Sequence, residues 1–228
     1  MKKHSLVAAS LLFVIAGTGT IMAGEPPPIF DGKTLDNWTT LEGEPVTKAW
    51  EVVDGVIHLD RDKGEGGNII TRHEYGDFDF SFDWKIVPGG NSGIKYRVRK
   101  FDKSTLGCEY QILGDTQESG APKHATGSLY DLYPPNEKKR TKPIGEYNHA
   151  RIVIRDDTIQ HWMNGELLLT ATVGDAEWDR RIAESKFSKV EGFGRNRRGK
   201  IMLTDHGAEV WYKNLRLVPL PPAKKEKP

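Results

Sequence analysis

The segment GCEYQI, residues 107–112, alternates. Cys108, Tyr110 and Ile112 fall on one side of an extended chain, and Glu109 and Gln111 on the other. The run before it, SGIKYRVR, sets Ile94, Tyr96 and Val98 against Lys95, Arg97 and Arg99. If the apolar residues of both runs face a core, Arg97, Glu109 and Gln111 share the opposite face. A guanidinium, a carboxylate and an amide converging there can hold and polarise a hydroxylated ligand. Arg donates in a fixed fork, Gln donates and accepts, and Glu accepts or takes a proton. The same pattern also suits an ordinary solvated face with cross-strand ion pairs, each contributing under about 1 kcal/mol.

Other segments bring candidate groups to the same cleft. Asn91 follows a Gly-Gly turn and suits its rim. The stretch KHATGSLYDL carries His124, Tyr130 and Asp131 in one loop. Histidine is the side chain most often used for proton transfer near neutral pH. The TDHG segment adds Asp205 and His206, which point to opposite faces if the chain is extended, so one of them serves the cleft. Cys108, on the apolar side, reads as an inert buried thiol. The chain has no GxSxG elbow, Walker loop, GxGxxG, HExxH or paired CxxC.

Positioning such groups requires sheets, and two-residue periodicity runs through the chain. In DFDFSFDWKI, Phe78, Phe80, Phe82, Trp84 and Ile86 alternate with polar residues, as in a half-buried antiparallel strand. Asp54-Gly55 and Asn164-Gly165 separate β-type runs and mark hairpins. Helical pattern is confined to DAEWDRRIAESKF. Many short strands with turn signals between them predict an antiparallel sandwich or barrel. The segment 114–146 is rich in Pro, Gly and charge. Loops of that length are usually functional or disordered, and its Tyr130, Leu132 and Tyr133 argue against disorder.

Residues 1–23 have a basic start, an apolar run from Leu6 to Ala16 and small residues up to Ala23. That order predicts a secretory signal peptide and a periplasmic, secreted protein. The apolar run is short of the roughly 20 residues that span a bilayer, so no membrane span is expected after its removal. An uncleaved anchor is the alternative. Residues 24–219 then form one domain, and the Pro/Lys-rich residues 220–228 a disordered tail. One cysteine allows no internal disulfide. A formal net charge of +1 gives no electrostatic reason to bind nucleic acid.

Taken together, IFDGKTLDNWT, WEVVDGVI, YGDFDFSFDWKIVPGGNSGIKYRV, GCEYQILGD, HATGSLYDL, GEYNHARIVI, HWMNG and GKIMLTDHGAEVWYKNLRL resemble the 3-keto-disaccharide hydrolase family, over about Pro28 to Pro219. The family includes 3-keto-glucoside 1,2-lyases and 3-keto-2-hydroxy-glucal hydratases. Tyr147 stands where Trp is usual, and Thr204, beside the expected site, where Gln is usual. The resemblance implies an all-β, concanavalin A-like jelly roll of two antiparallel sheets. It also implies a small carbohydrate substrate oxidised at C3 of a hexose. The ketone acidifies the C2 proton, so a base can remove it and the C1 substituent can leave; hydration runs the other way. Such a site needs a base, an acid near the glycosidic oxygen, and a cation or strong donor at the enolate oxygen.

On this reading Glu109 and His124 are the acid–base pair and Arg97 and Gln111 stabilise the oxyanion. Asn91, Tyr130, Asp131 and His206 line the pocket. A divalent cation on the ketone oxygen is compatible with this chemistry, and no ligand spacing in the sequence specifies one. Two other functions fit the same fold: a non-catalytic carbohydrate-binding module, and a conventional two-carboxylate glycosidase. Glu109 has no obvious second strand-borne carboxylate, which weighs against the glycosidase.

Overall fold

Phe78, Phe80, Phe82, Trp84 and Ile86 are all buried along β5 (Phe78–Ile86), with half-buried polar residues between them. A computed structural model describes residues 28–114 and 120–221; the expected signal peptide and most of the tail lie outside the described residues. The remaining strands are β1 (Trp38–Thr39), β2 (Trp50–Val53), β3 (Val56–Leu59), β4 (Ile69–Thr71), β6 (Asn91–Phe101), β7 (Ser104–Leu113), β8 (Asn148–Arg155), β9 (Thr158–Met163), β10 (Glu166–Thr172), β11 (Lys200–Leu203) and β12 (Val210–Pro219). They form two antiparallel sheets, ordered β1-β4-β11-β6-β7 and β10-β9-β8-β5-β12-β3-β2. This is the expected jelly-roll sandwich. The short helix α1 (Ala176–Ala183) falls within the predicted segment and is capped by the Asp175 side chain, which accepts from the Trp178 N–H.

The sheets meet through aromatic edges. Tyr96 packs T-shaped on Phe78 and Tyr110 on Phe82, with centroids 6.4 and 5.7 Å apart. Both predicted hairpins turn with positive φ at each central residue, Asp54-Gly55 and Asn164-Gly165, the conformation that suits the twist of the flanking strands. No helix among the described residues is long and apolar enough to cross a membrane.

One expectation fails in β6. A bulge interrupts its pairing with β7 between Tyr96 and Arg99, and Arg97 takes φ +50°. In an unbroken strand Lys95 and Arg97 would share a face; the bulge turns Arg97 over. Its side chain is 1% exposed and reaches the other sheet, with Nη2 3.1 Å from Asp77 Oδ1 and 3.3 Å from the Asp156 carbonyl. Val98, expected in the main core, instead clusters with Ile70 and Met202. Gly199 permits the bulge, since a Cβ there would lie 2.4 Å from the Arg97 carbonyl carbon.

His161 is fully buried between the sheets. Its Nδ1 faces the Gly127 carbonyl at 3.1 Å, so Nδ1 carries the hydrogen, and Nε2 accepts from the Tyr96 hydroxyl at 2.9 Å. Burial pushes its pKa down to about 4, against two backbone contacts that raise it. The unfolded chain therefore takes up this proton near pH 6.5 and the folded chain only near 4. Stability is held above that window and lost as pH falls through it, by up to about 3 kcal/mol. Urea midpoints at pH 7 and pH 4 should show this loss in the wild type and a smaller one in His161→Gln. An equal loss in both would assign it to other groups.

Candidate functional site

Across the outer face of the five-stranded sheet, register sets Ile70 opposite Met202, Met202 opposite Lys95, and Lys95 opposite Glu109. The neighbouring row holds Gly93 opposite Gln111. This is the face anticipated for Glu109 and Gln111, and Lys95 occupies the place expected of Arg97. Lys95 Nζ lies 3.8 Å from Glu109 Oε2, and His206 Nε2 lies 3.8 Å from Glu109 Oε1.

Glu109 is 5% exposed, and its Oε1 is buried with no hydrogen-bond partner among the described residues. Such an atom carries a desolvation cost unless something else meets it. Gly93 makes the space, because a Cβ there would sit 2.5 Å from Oε1. The carboxylate thus stands between an ammonium and an imidazole, over a glycine that offers it no side chain.

The long connection after β7 folds back along that strand. The Tyr130 N–H donates to the Glu109 carbonyl at 3.0 Å and the Gly127 N–H to the Gln111 carbonyl at 2.9 Å. Chain pairing with the sheet edge holds Tyr130 and Asp131 beside Glu109. Burial raises the Tyr130 pKa, and the charges of Glu109 and Asp131 raise it further. The Tyr130 ring is stacked on His124 at 4.9 Å and lies 4.2 Å from Lys186 Nζ.

His124 Nε2 is 2.9 Å from Asp131 Oδ1, and Lys123 Nζ is 2.7 Å from the same oxygen. The Lys186 N–H donates to Asp131 Oδ2 at 2.7 Å. Burial alone would raise the Asp131 pKa, but these partners outweigh it and hold the group ionised. Asp131 is therefore a loop anchor, and His124 is tied to it and to Tyr130. The imidazole against Glu109 is that of His206.

At the rim, Gln111 Nε2 donates to Asn91 Oδ1 at 3.1 Å. Thr204 is buried and donates its hydroxyl to the Gly93 carbonyl at 3.2 Å. The two neighbours turn apart: His206 Nε2 faces Glu109, while Asp205 accepts from the Gly66 and Gly67 N–H groups at 3.0 and 2.9 Å and pairs with Arg61. Asp205 so fixes the loop that carries His206.

Two residues of this site were not expected. Lys95 was legible in the alternation of β6, two positions before Arg97. Lys186 follows the short helix in a turn that carries no sequence signal. Desolvation lowers its ammonium pKa; Glu109 opposes this, Lys95 adds to it and Asp131 opposes it. Both ammoniums belong to the electrostatic surroundings of Glu109.

The donor set does not fit a divalent cation at Glu109. It offers one carboxylate and one exposed imidazole, and the Lys95 ammonium stands where a second anionic ligand would be needed. Elsewhere among the described residues, Glu51, His58 and Asp60 have ligand atoms close together. There Lys63 pairs with Glu51 and with Asp60, and His58 with Glu209.

Residues 25–218 match the family model of the 3-keto-alpha-glucoside-1,2-lyase-like domain. A relative from Bacteroides thetaiotaomicron named 3-keto-disaccharide hydrolase is 31% identical over 222 residues, covering 83% of this chain and 76% of the relative. A glycosyl hydrolase candidate from Parabacteroides distasonis superposes with a TM-score of 0.76 at 31% identity, covering 85% of this chain and 93% of the other. A second protein of the same description and organism gives 0.63 at 27% identity, covering 85% and 83%.

Proposed function

Because the chain belongs to the 3-keto-alpha-glucoside-1,2-lyase-like family, we propose that it cleaves glycosides oxidised at C3, by removing the C2 proton and eliminating the C1 substituent. The family and the relative's name support a hydrolase-type activity on carbohydrate. The observation that carries the finer reading is the buried Glu109 carboxylate, one oxygen without a partner, set between Lys95 and His206.

Glu109 takes the C2 proton as base. The electron pair of that C–H bond moves into the C2–C3 bond, and the ketone oxygen gains negative charge. Lys95, with Lys186 nearby, stabilises that oxyanion, in the role that the resemblance implied for Arg97. Collapse of the enolate restores the ketone, forms a C1=C2 double bond and expels the C1 oxygen, which His206 protonates. Water adding at C1, with a proton returned to C2, gives the free 3-keto sugar and net hydrolysis. Gln111 and Asn91 bind sugar hydroxyls, and His124 with Asp131 positions Tyr130 over the pocket.

A two-carboxylate glycosidase finds less support. Asp131 and Asp205 are held by cations and backbone N–H groups, and among the described residues no second carboxylate faces Glu109. The test is incubation with a glucoside and with its C3-oxidised form, followed by NMR. The oxidised form should be converted and the parent left intact, since its C2 proton is not acidified. Equal cleavage of both would support the glycosidase. Binding without conversion of either would support a binding module.

A further inference from the structure

The face that carries Glu109 continues past Lys95 to the opposite edge of the sheet. Leu203 pairs with both Ile69 and Ile94, Thr204 N donates to the Gly93 carbonyl at 3.1 Å, and Asp205 N donates to Asn68 Oδ1 at 2.9 Å. Asn68, Thr204, Gly93 and Gln111 therefore sit at one level on neighbouring strands, with the side-chain parity of Glu109. From β7 to β4 that level spans three strand spacings, about 14 Å, with Thr204 buried within it.

Asn68 also lines a cavity of about 510 Å³, between residues 40–48 and 65–68. Its wall includes Glu42, Glu44 and Glu65 against Lys48, with Leu41 42% exposed beside them. Thr40 also lines it, with a buried hydroxyl oxygen that has no hydrogen-bond partner among the described residues. The turn closing one side is held by Thr40 N donating to the Glu44 carbonyl at 2.9 Å. The other side is held by Asp205 through the Gly66 and Gly67 N–H groups, so the cavity wall and the loop bearing His206 are one assembly.

We propose that this cavity is a distal subsite that binds a neutral sugar unit on the leaving-group side, selecting glycosides longer than a disaccharide. The proposal rests on the carbohydrate reading above and adds the substrate's length and charge. Carboxylates accept hydrogen bonds from sugar hydroxyls. Three of them against one ammonium repel uronic acids and phosphorylated sugars. The lining contains no aromatic ring, so a flat aromatic aglycone finds nothing to stack on, while Leu41 suits the apolar face of a pyranose.

The test compares 3-keto-maltotriose with 3-keto-maltose, each oxidised on the non-reducing glucose. Wild type should show a kcat/KM at least about tenfold higher for the trisaccharide, about 1.4 kcal/mol. Thr47→Trp, at an exposed wall position, should erase that ratio and leave 3-keto-maltose turnover unchanged. Glu65→Ala should reduce the ratio severalfold. A wild-type ratio near one, or a ratio that survives Thr47→Trp, overturns the subsite. So does a preference for a phenyl 3-keto-glucoside over 3-keto-maltotriose. If no 3-keto-glucoside is converted, the catalytic reading fails by itself, and backbone amide shifts decide the subsite. Maltotriose should shift Leu41, Thr47 and Glu65 where maltose does not; no shift there overturns it.

Discussion

Replacing Glu109 by glutamine lowers turnover of a 3-keto-glucoside by about 10²-fold or more, the scale of losing a positioned acid–base group. The amide keeps the size of the side chain and can still accept or donate a hydrogen bond beside Lys95 and His206. What it loses is the capacity to take the C2 proton. KM should therefore change less than kcat, and the melting temperature should stay close to wild type, because the amide keeps the side chain's size and Oε1 makes no hydrogen bond among the described residues. Parallel steady-state kinetics and thermal unfolding check this. A kcat within a few-fold of wild type would remove Glu109 from the chemistry.

Lys95→Met lowers kcat by about 10²- to 10³-fold, the usual cost of deleting one oxyanion-stabilising group. Methionine keeps much of the stem that packs on the sheet and removes the ammonium 3.8 Å from Glu109 Oε2. The charge matters most when the enolate forms, so the loss should fall on kcat rather than on substrate affinity. The double variant with Glu109→Gln should be little worse than the poorer single, since both groups act in one step. Simple multiplication of the two losses would mean that Lys95 works elsewhere. A merely structural Lys95 would instead lower the melting temperature and leave kcat of the folded fraction unchanged.

The fold was legible because alternation survives in nearly every strand. The apolar half of β5 packs against Tyr96 and Tyr110 as their spacing implies, and the Asn-Gly and Asp-Gly turns fall where the sequence sets them. Glu109 and Gln111 follow the same rule. Arg97 breaks it, because one bulge residue inverts a face, and nothing in SGIKYRVR marks the insertion. Gly199, whose missing side chain allows the bulge, lies about a hundred residues away in sequence and on another strand's approach. Which histidine stands nearest Glu109 was not legible for a related reason. His124 and His206 are both loop histidines, and only the tertiary path of each loop decides which meets Glu109. Asp131 draws His124 away through a pairing seven residues apart, whereas Asp205, held by Arg61 and the Gly66 and Gly67 N–H groups, frees His206 for the cleft. His161 reads as one more polar residue of a strand, yet burial makes it a core group with a lowered pKa.

The central claim is that Glu109 removes the proton on C2 before the glycosidic bond breaks. The most direct measurement is the reaction of a 3-keto-glucoside in deuterated water, stopped at early conversion, with the sugar product read by NMR. Elimination followed by hydration predicts one deuteron at C2 of the released 3-keto sugar, beyond that acquired in an enzyme-free control. Glu109→Gln should abolish that label along with turnover. Release of the sugar by wild type with protium retained at C2 would contradict the account, since direct displacement at C1 never breaks that bond.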